Sequence, residues 1–337
     1  MQASTATTAL DQASLPNLQS VERAAERIAG KALRTPLLES AALNAVTGGR
    51  VFIKPECLQR TGSFKFRGAF NRISQLGEEA REGGVVAYSS GNHAQGVAAA
   101  AQLKELPAVI VMPEDTPRIK VSNTAGYGAE VVHYERASED RKAIAEGLAE
   151  ERGAVIVPPY DDPNIIAGQG TAGLELAQDL SERGVTPDTL LVPAGGGGLL
   201  AGVSLAMKGH FPETEIYSVE PHGFDDHRRS LGSGAREQNA QTTGSLCDSL
   251  LAHQPGEMTF AINRARVSGG LAVTDEEVKA AVAFAFRNLK LVVEPGGSVC
   301  LAALLAGKID CRGREIAIVL SGGNVDPDLF SEIVTAA

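Results

Sequence analysis

Short apolar runs alternate along the chain with longer alanine-rich stretches whose apolar residues recur at helical spacing. The runs at 84–88, 108–112, 130–134, 154–157, 190–193, 216–220 and 315–320 read as strands. Helices are expected between them at 92–103, 138–151, 167–180, 199–208 and 275–289, with Ser138 and Thr274 placed as N-caps. Alternation of this kind predicts an α/β protein whose open, mostly parallel sheets carry helices on both faces.

At 337 residues the chain exceeds the size at which one core normally keeps growing, so two domains are expected. A net charge of −10 and the absence of Lys/Arg runs argue against nucleic acid and anionic membranes, leaving small diffusing substrates. Cys57, Cys247, Cys300 and Cys311 form no C-x-x-C pair and are read as reduced thiols. The N-terminal stretch lacks the basic start and apolar core of a signal peptide, and no apolar run reaches the ~18 residues of a membrane span. A cytoplasmic enzyme with a frayed N-terminus is the expectation.

In open sheets of this class ligands gather where strands end. Four strand ends here carry unusual loops: Ser89-Ser90-Gly91-Asn92-His93, Gly195-Gly196-Gly197-Gly198, Glu220 with the turn after it, and Ser321-Gly322-Gly323-Asn324. Successive glycines at a strand-to-helix turn each cost roughly 0.5 to 1 kcal/mol relative to alanine. An anion held by their N–H groups would compensate, which makes 195–198 a candidate phosphate cradle. Lys65 stands among Gly62, Ser63 and Gly68, with Phe64 and Phe66 as apolar walls. Burial there would favour its neutral, nucleophilic amine. Arg67 is either a salt-bridge partner or solvent-facing.

The Ser89–His93 loop offers hydroxyl, amide and imidazole groups to a substrate carboxylate, or Ser90 or Asn92 simply caps the next helix. Ser321 is either a turn residue or a hydroxyl partner for a ring nitrogen. Glu220 and Asp226, six positions apart with Asp225 adjacent, suit a hard divalent cation, or Asp225 or Asp226 caps a helix from 226 to 231.

Taken together, 63–69, 89–95, 167–171, 195–198, Glu220-Pro221, Glu294-Pro295 and 321–326 resemble the serine/threonine dehydratase and serine racemase family of fold type II (tryptophan synthase β-like) pyridoxal-phosphate enzymes. The likeness runs from about Val21 to Ile333 and is nearest the racemase and hydroxyaspartate dehydratase branch. It implies a large cofactor domain, 1–83 with 158–337, a small mobile domain, 84–157, and a homodimer. It also implies a pyridoxal 5'-phosphate site in which Lys65 forms the Schiff base, Phe64 and Glu294 flank the cofactor, Asn92 meets the ring hydroxyl, Gly195 to Gly198 hold the phosphate and Ser321 faces the pyridine nitrogen. Ser89, Ser90, Asn92, His93 and Arg141 would meet a small amino-acid substrate, and Ser90 would be a second acid/base opposite Lys65. A divalent cation (Mg, Mn or Ca) would sit on Glu220, the main-chain oxygen of Phe224, and Asp226.

The implied reaction is β-elimination from threonine or serine, giving a 2-oxo acid and ammonia, with 3-hydroxyaspartate dehydration or serine racemisation as alternatives. Cys247-Asp248-Ser249, Gly296-Gly297 and His253 depart from the family's usual residues around the substrate pocket. Little chain follows Asp326, so isoleucine feedback through a C-terminal regulatory domain is not expected.

Overall fold

The computed structural model describes residues 14–336 apart from Ser90, Pro117, Arg136 and Ala137. Two sheets form. The larger has β1 (Leu38–Glu39), β2 (Arg50–Pro55), β7 (Thr189–Pro193), β8 (Glu215–Pro221), β9 (Gly269–Val273) and β10 (Glu315–Leu320), in the order β1-β2-β10-β7-β8-β9. The smaller has β3 (Val85–Tyr88), β4 (Ala108–Pro113), β5 (Glu130–Tyr134) and β6 (Val155–Ile156), ordered β5-β4-β3-β6. Every pairing is parallel except β1 with β2.

Helices cover both faces of such sheets, so central strands need apolar side chains on both sides. β4 and β7 are accordingly buried at every position. The strand orders set the crevice. In the larger sheet the chain winds outward from β7 through β8 to β9 while β10 lies on the other side of β7, so β7 and β10 flank a switch point. In the smaller sheet β3 has the same position, between β4 and β6. The loops after β3, β7 and β10 are the Asn92, glycine and Ser321 loops.

All seven expected strands are present; β1, β2 and β9 were not anticipated. Thr274 caps its helix through a reciprocal capping box with Glu277. Ser138 does not cap: its hydroxyl turns to Glu135, and Asp140 instead accepts from the N–H groups of Lys142 and Ala143 to start the helix Arg141–Arg152. The expected helix at 275–289 ends as an α-helix at Phe284 and closes with a π-helical turn, Ala285–Leu289. No cysteine is disulfide-bonded, and all but Cys57 are buried.

Arg67 is fully buried and ties together the elements behind the crevice. Its guanidinium binds Glu56 at 2.7 and 2.8 Å and Glu175 at 2.7 and 2.8 Å. Lys54 of β2 completes the network, 2.7 Å from Glu175. Burial by itself would raise Glu56, but the charge and hydrogen bonds of Arg67, with Lys54 and Thr35, together hold it below the usual carboxylate range. Removing one partner from a buried ion cluster strands the others, so Arg67→Met is expected to lower unfolding stability by roughly 3 kcal/mol or more, read from urea denaturation. An unchanged midpoint would show that water replaces the guanidinium without cost.

Candidate active site

Two short segments fix the position of Lys65. Ser63 bridges to Gly322, and the Phe64 N–H donates to the Ser321 carbonyl at 3.1 Å, so the helix Lys65–Ile73 starts against the end of β10. The side chain of Lys65 enters a pocket that is also lined by Phe64, Ser89, Asn92, His93, Arg141, all four glycines of 195–198, Glu294 and Ser321. Its amine donates to the Pro159 carbonyl at 2.8 Å. Burial lowers the lysine to about 8, against the opposing pull of Glu294. Burial in turn pushes Glu294 up to about 8, helped by Asp248 and opposed by its hydrogen bond from Asn92.

The crevice therefore gathers most of the predicted site residues from both sheets. Ser90 lies outside the described residues. Phe66 corrects the expectation of two aromatic walls: only Phe64 lines the pocket, while Phe66 is buried and stacks on Phe70 with centroids 5.6 Å apart. Gly68 serves helix packing, since a Cβ there would stand 2.9 Å from the Ile165 carbonyl.

Asn92 begins the helix Asn92–Leu103 but does not cap it, for its amide is used across the crevice. It donates to Glu294 and accepts from the Asn324 amide at 2.7 Å. The bond from Asn324 joins the loops after β3 and β10, and the bond to Glu294 ties the first of them to the segment before the helix Val299–Leu305. His93 is buried, with Nε2 2.8 Å from the Val157 carbonyl, so that nitrogen carries the proton. Burial, reinforced by Lys65, drops it to about 3. His93 is thus a neutral ring and not the cation for a carboxylate. Cationic groups come instead from Arg141, which stands over the Tyr88 ring at 5.7 Å, and from Lys120, whose ammonium pairs with Asp248.

Gly197 takes φ +90, a backbone that side-chain-bearing residues rarely adopt, and the helix Gly198–His210 begins directly after it. The turn is braced from behind. Thr259 donates to the Gly196 carbonyl at 2.7 Å, and a Cβ on Gly196 would lie 2.2 Å from the Tyr160 ring. Asp161 accepts from the first N–H groups of the helix Glu257–Arg264, holding Thr259 in place. Gln169 lies below Gly198, where a Cβ would come within 2.5 Å of its Oε1. Both polar atoms of the Gln169 amide are buried without a partner.

Glu220 and Asp226 do converge, together with His227, which sequence reading had not singled out. One ligand atom from each lies within 4.8 Å of the others, and all three residues are fully buried. Phe224 is buried on the turn between them. The helix Asp226–Ser233 is capped by neither Asp225 nor Asp226: Glu220 accepts from the N–H groups of His227 and Arg228 at 2.7 and 2.8 Å. Burial and the neighbouring Asp226 raise Glu220 well above the usual carboxylate range, and burial raises Asp226 to about 7.

Comparison with known proteins shows the family. Residues 28–322 match the family described as "Pyridoxal-phosphate dependent enzyme". The chain belongs to that family. It is 45% identical to an L-threo-3-hydroxyaspartate ammonia-lyase from Pseudomonas sp, covering 95% of this chain and 99% of that protein. It is 40% identical to a serine racemase from Schizosaccharomyces pombe, covering 96% of this chain and 99% of the relative. A solved threonine deaminase from T.th. superposes with a TM-score of 0.88 at 44% identity, covering 92% of this chain and 99% of that one. These members share the tryptophan synthase β-like fold.

The residues present fit pyridoxal phosphate. A lysine amine of lowered pKa stands in the same pocket as a helix N-terminus preceded by glycines, and the buried, unpartnered Gln169 amide lies beneath that turn. Only the uncharged amine attacks an aldehyde, and the amine is charged below its pKa. With Lys65 near 8, the rate at which apoprotein gains the visible absorption of bound pyridoxal phosphate should rise ~10-fold per unit up to about pH 8 and then level. Stopped-flow spectroscopy between pH 6 and 10 checks this, and a rate still climbing steeply above pH 9 would mean an ordinary, solvated lysine. No helix among the described residues is long and apolar enough to cross a membrane.

Proposed function

We propose that this protein is a pyridoxal-phosphate-dependent ammonia-lyase that dehydrates a small β-hydroxy amino acid, with L-threo-3-hydroxyaspartate as the leading substrate ahead of threonine and serine. The observation that carries this order is the pair of cations, Lys120 and Arg141, lining the same pocket as Lys65. An amino acid with one carboxylate needs one cationic partner; a hydroxyaspartate can use both. The Pseudomonas relative's identity points the same way.

When bound, the cofactor supplies an aldehyde that condenses with amines and a ring that draws electrons from the substrate Cα. The chain supplies the rest. The N–H groups of the glycine turn and helix Gly198–His210 would hold the phosphate. Lys65 would anchor the cofactor, and its free amine would take the Cα proton. The neutral hydroxyl of Ser321 would serve the ring nitrogen and impose no fixed charge there. Asn92, held by Glu294 and Asn324, would serve the ring hydroxyl. Loss of the β-hydroxyl as water leaves an enamine that tautomerises and hydrolyses to a 2-oxo acid and ammonia.

We also infer a divalent cation on Glu220 and Asp226, where two buried carboxylates otherwise face each other. The test of the main reading is incubation of the purified holoprotein with L-threo-3-hydroxyaspartate, threonine and serine, measuring 2-oxo acid. Formation fastest from hydroxyaspartate is expected; none from any of the three sinks it. Chiral analysis of the residual serine scores racemisation, the activity the S. pombe relative is named for.

A further inference from the structure

His227 lies between the carboxylate pair and the glycine turn. On one side, its Nδ1 is 3.8 Å from Glu220 Oε1 and 3.8 Å from Asp226 Oδ2. Neither Nδ1 nor Asp226 Oδ2 has a hydrogen-bond partner, though both residues are fully buried. Two unsatisfied polar atoms facing each other at that depth are costly unless something lies between them. On the other side, Nε2 is 3.3 Å from the Asn263 amide nitrogen, which is itself 3.4 Å from the Gly197 carbonyl. A Cβ on Gly197 would come within 2.4 Å of Nε2, so the ring edge abuts the glycine turn.

The spacing on the Nδ1 side suits coordination. Ligand atoms about 2.2 Å from one ion are about 3 Å apart when adjacent and about 4.4 Å apart when opposite, and 3.8 Å falls between. Glu220 already accepts main-chain N–H groups, but each carboxylate oxygen has a second lone pair. Asp226 is fixed through its other oxygen, which accepts from Asn239 at 2.7 Å. Oδ2 is thereby left as the donor atom.

We propose that His227 is a third side-chain ligand of the cation held by Glu220 and Asp226, and that its ring transmits cation occupancy to the phosphate-holding turn 195–198. A ligating Nδ1 must keep its lone pair for the metal, which places the ring proton on Nε2. The ring already meets the Gly195 main chain and the Asn263 amide. Occupancy at Nδ1 fixes the ring edge against the turn, so cation and cofactor bind cooperatively. The donor set of two carboxylates and an imidazole favours Mn²⁺ over Ca²⁺, which prefers all-oxygen sites.

The proposal rests on the cofactor and cation readings above, and its test separates them. Mn²⁺ is added to the unmutated holoprotein and the electron spin-echo modulation recorded: nitrogen-14 coupling from a directly bound imidazole is expected. Pyridoxal phosphate dissociation constants are then measured by equilibrium dialysis with and without Mn²⁺, and tightening of ~10-fold by the metal is expected. In His227→Phe, which keeps a ring but no nitrogen, Mn²⁺ should bind ~10-fold more weakly and cofactor affinity should no longer respond to it. Glu220→Gln should lose Mn²⁺ binding altogether. Absence of Mn²⁺ binding in the unmutated protein overturns the cation reading, and this proposal with it. Mn²⁺ binding that depends on Glu220 but shows no nitrogen coupling, or cofactor tightening that persists in His227→Phe, overturns the role of His227 alone. Should His227→Phe fail to fold, the spin-echo result on the unmutated holoprotein decides.

Discussion

Lys65→Ala is expected to remain folded and to lose both the visible absorption of bound cofactor and all measurable 2-oxo acid formation, a fall of about 10⁴-fold or more. Two separate functions end together. In the proposed function the amine anchors the cofactor, and its work as general base accounts for roughly 10²- to 10⁴-fold by itself. Folding should survive because burial penalises this amine, as its depression to about 8 shows, and the substitution relieves that penalty. The elements around it are held by other contacts: Phe64 to Ser321, and the Arg67 ion cluster two residues on. Absorption spectra, turnover and thermal melts on the same preparation check all three parts. Turnover within tenfold of the unmutated enzyme would mean that another group removes the Cα proton, and a collapse of the melt would mean that the site, not its chemistry, had been lost.

How much of this site could be read in advance depended on whether its residues announce themselves locally. The glycine tract, the Ser89–His93 loop and Ser321 did so, because each breaks an apolar strand with residues that strands avoid. Lys65 did so through its small and aromatic neighbours, although Phe66 then proved to face the core. β9 was hidden by its own start, Gly269-Gly270, and β2 by Lys54, a charge within an apolar run. Lys54 is tolerated because Glu175, 121 positions away, neutralises it. The same long-range dependence concealed Tyr160, Gln169 and Asn263, whose importance comes from abutting the glycine turn. His227 carried one available signal, a histidine beside Asp226 in a suspected ligand set. Ser138 illustrates the reverse error: a good capping residue lost to Asp140, two positions nearer the helix it was expected to start.

Substrate choice should depend on Lys120. It extends from the helix Arg118–Gly126 beside the smaller sheet, while its partner Asp248 belongs to the segment Asp248–Leu250 on the far side of the pocket. The Lys120 side chain is 11% exposed and Asp248 56%, so the lysine is the buried member and the aspartate the replaceable one. A substrate β-carboxylate can take the place of Asp248 on Lys120 without leaving a charge unpaired; the methyl of threonine or the hydrogen of serine cannot. Truncating one partner of a desolvated charge pair typically costs 2 to 5 kcal/mol. Lys120→Met is therefore expected to reduce kcat/KM for L-threo-3-hydroxyaspartate by about 10²- to 10³-fold while changing that for threonine less than ~3-fold. Arg141→Met should lower both, because with Lys120 occupied by the β-carboxylate Arg141 is the cation left for the α-carboxylate that every substrate carries. Steady-state kinetics on the two substrates read the difference directly. Equal losses for both in Lys120→Met would show that the lysine closes the pocket without discriminating what is inside it, and the reading of a dicarboxylate substrate would lose the observation that carries it.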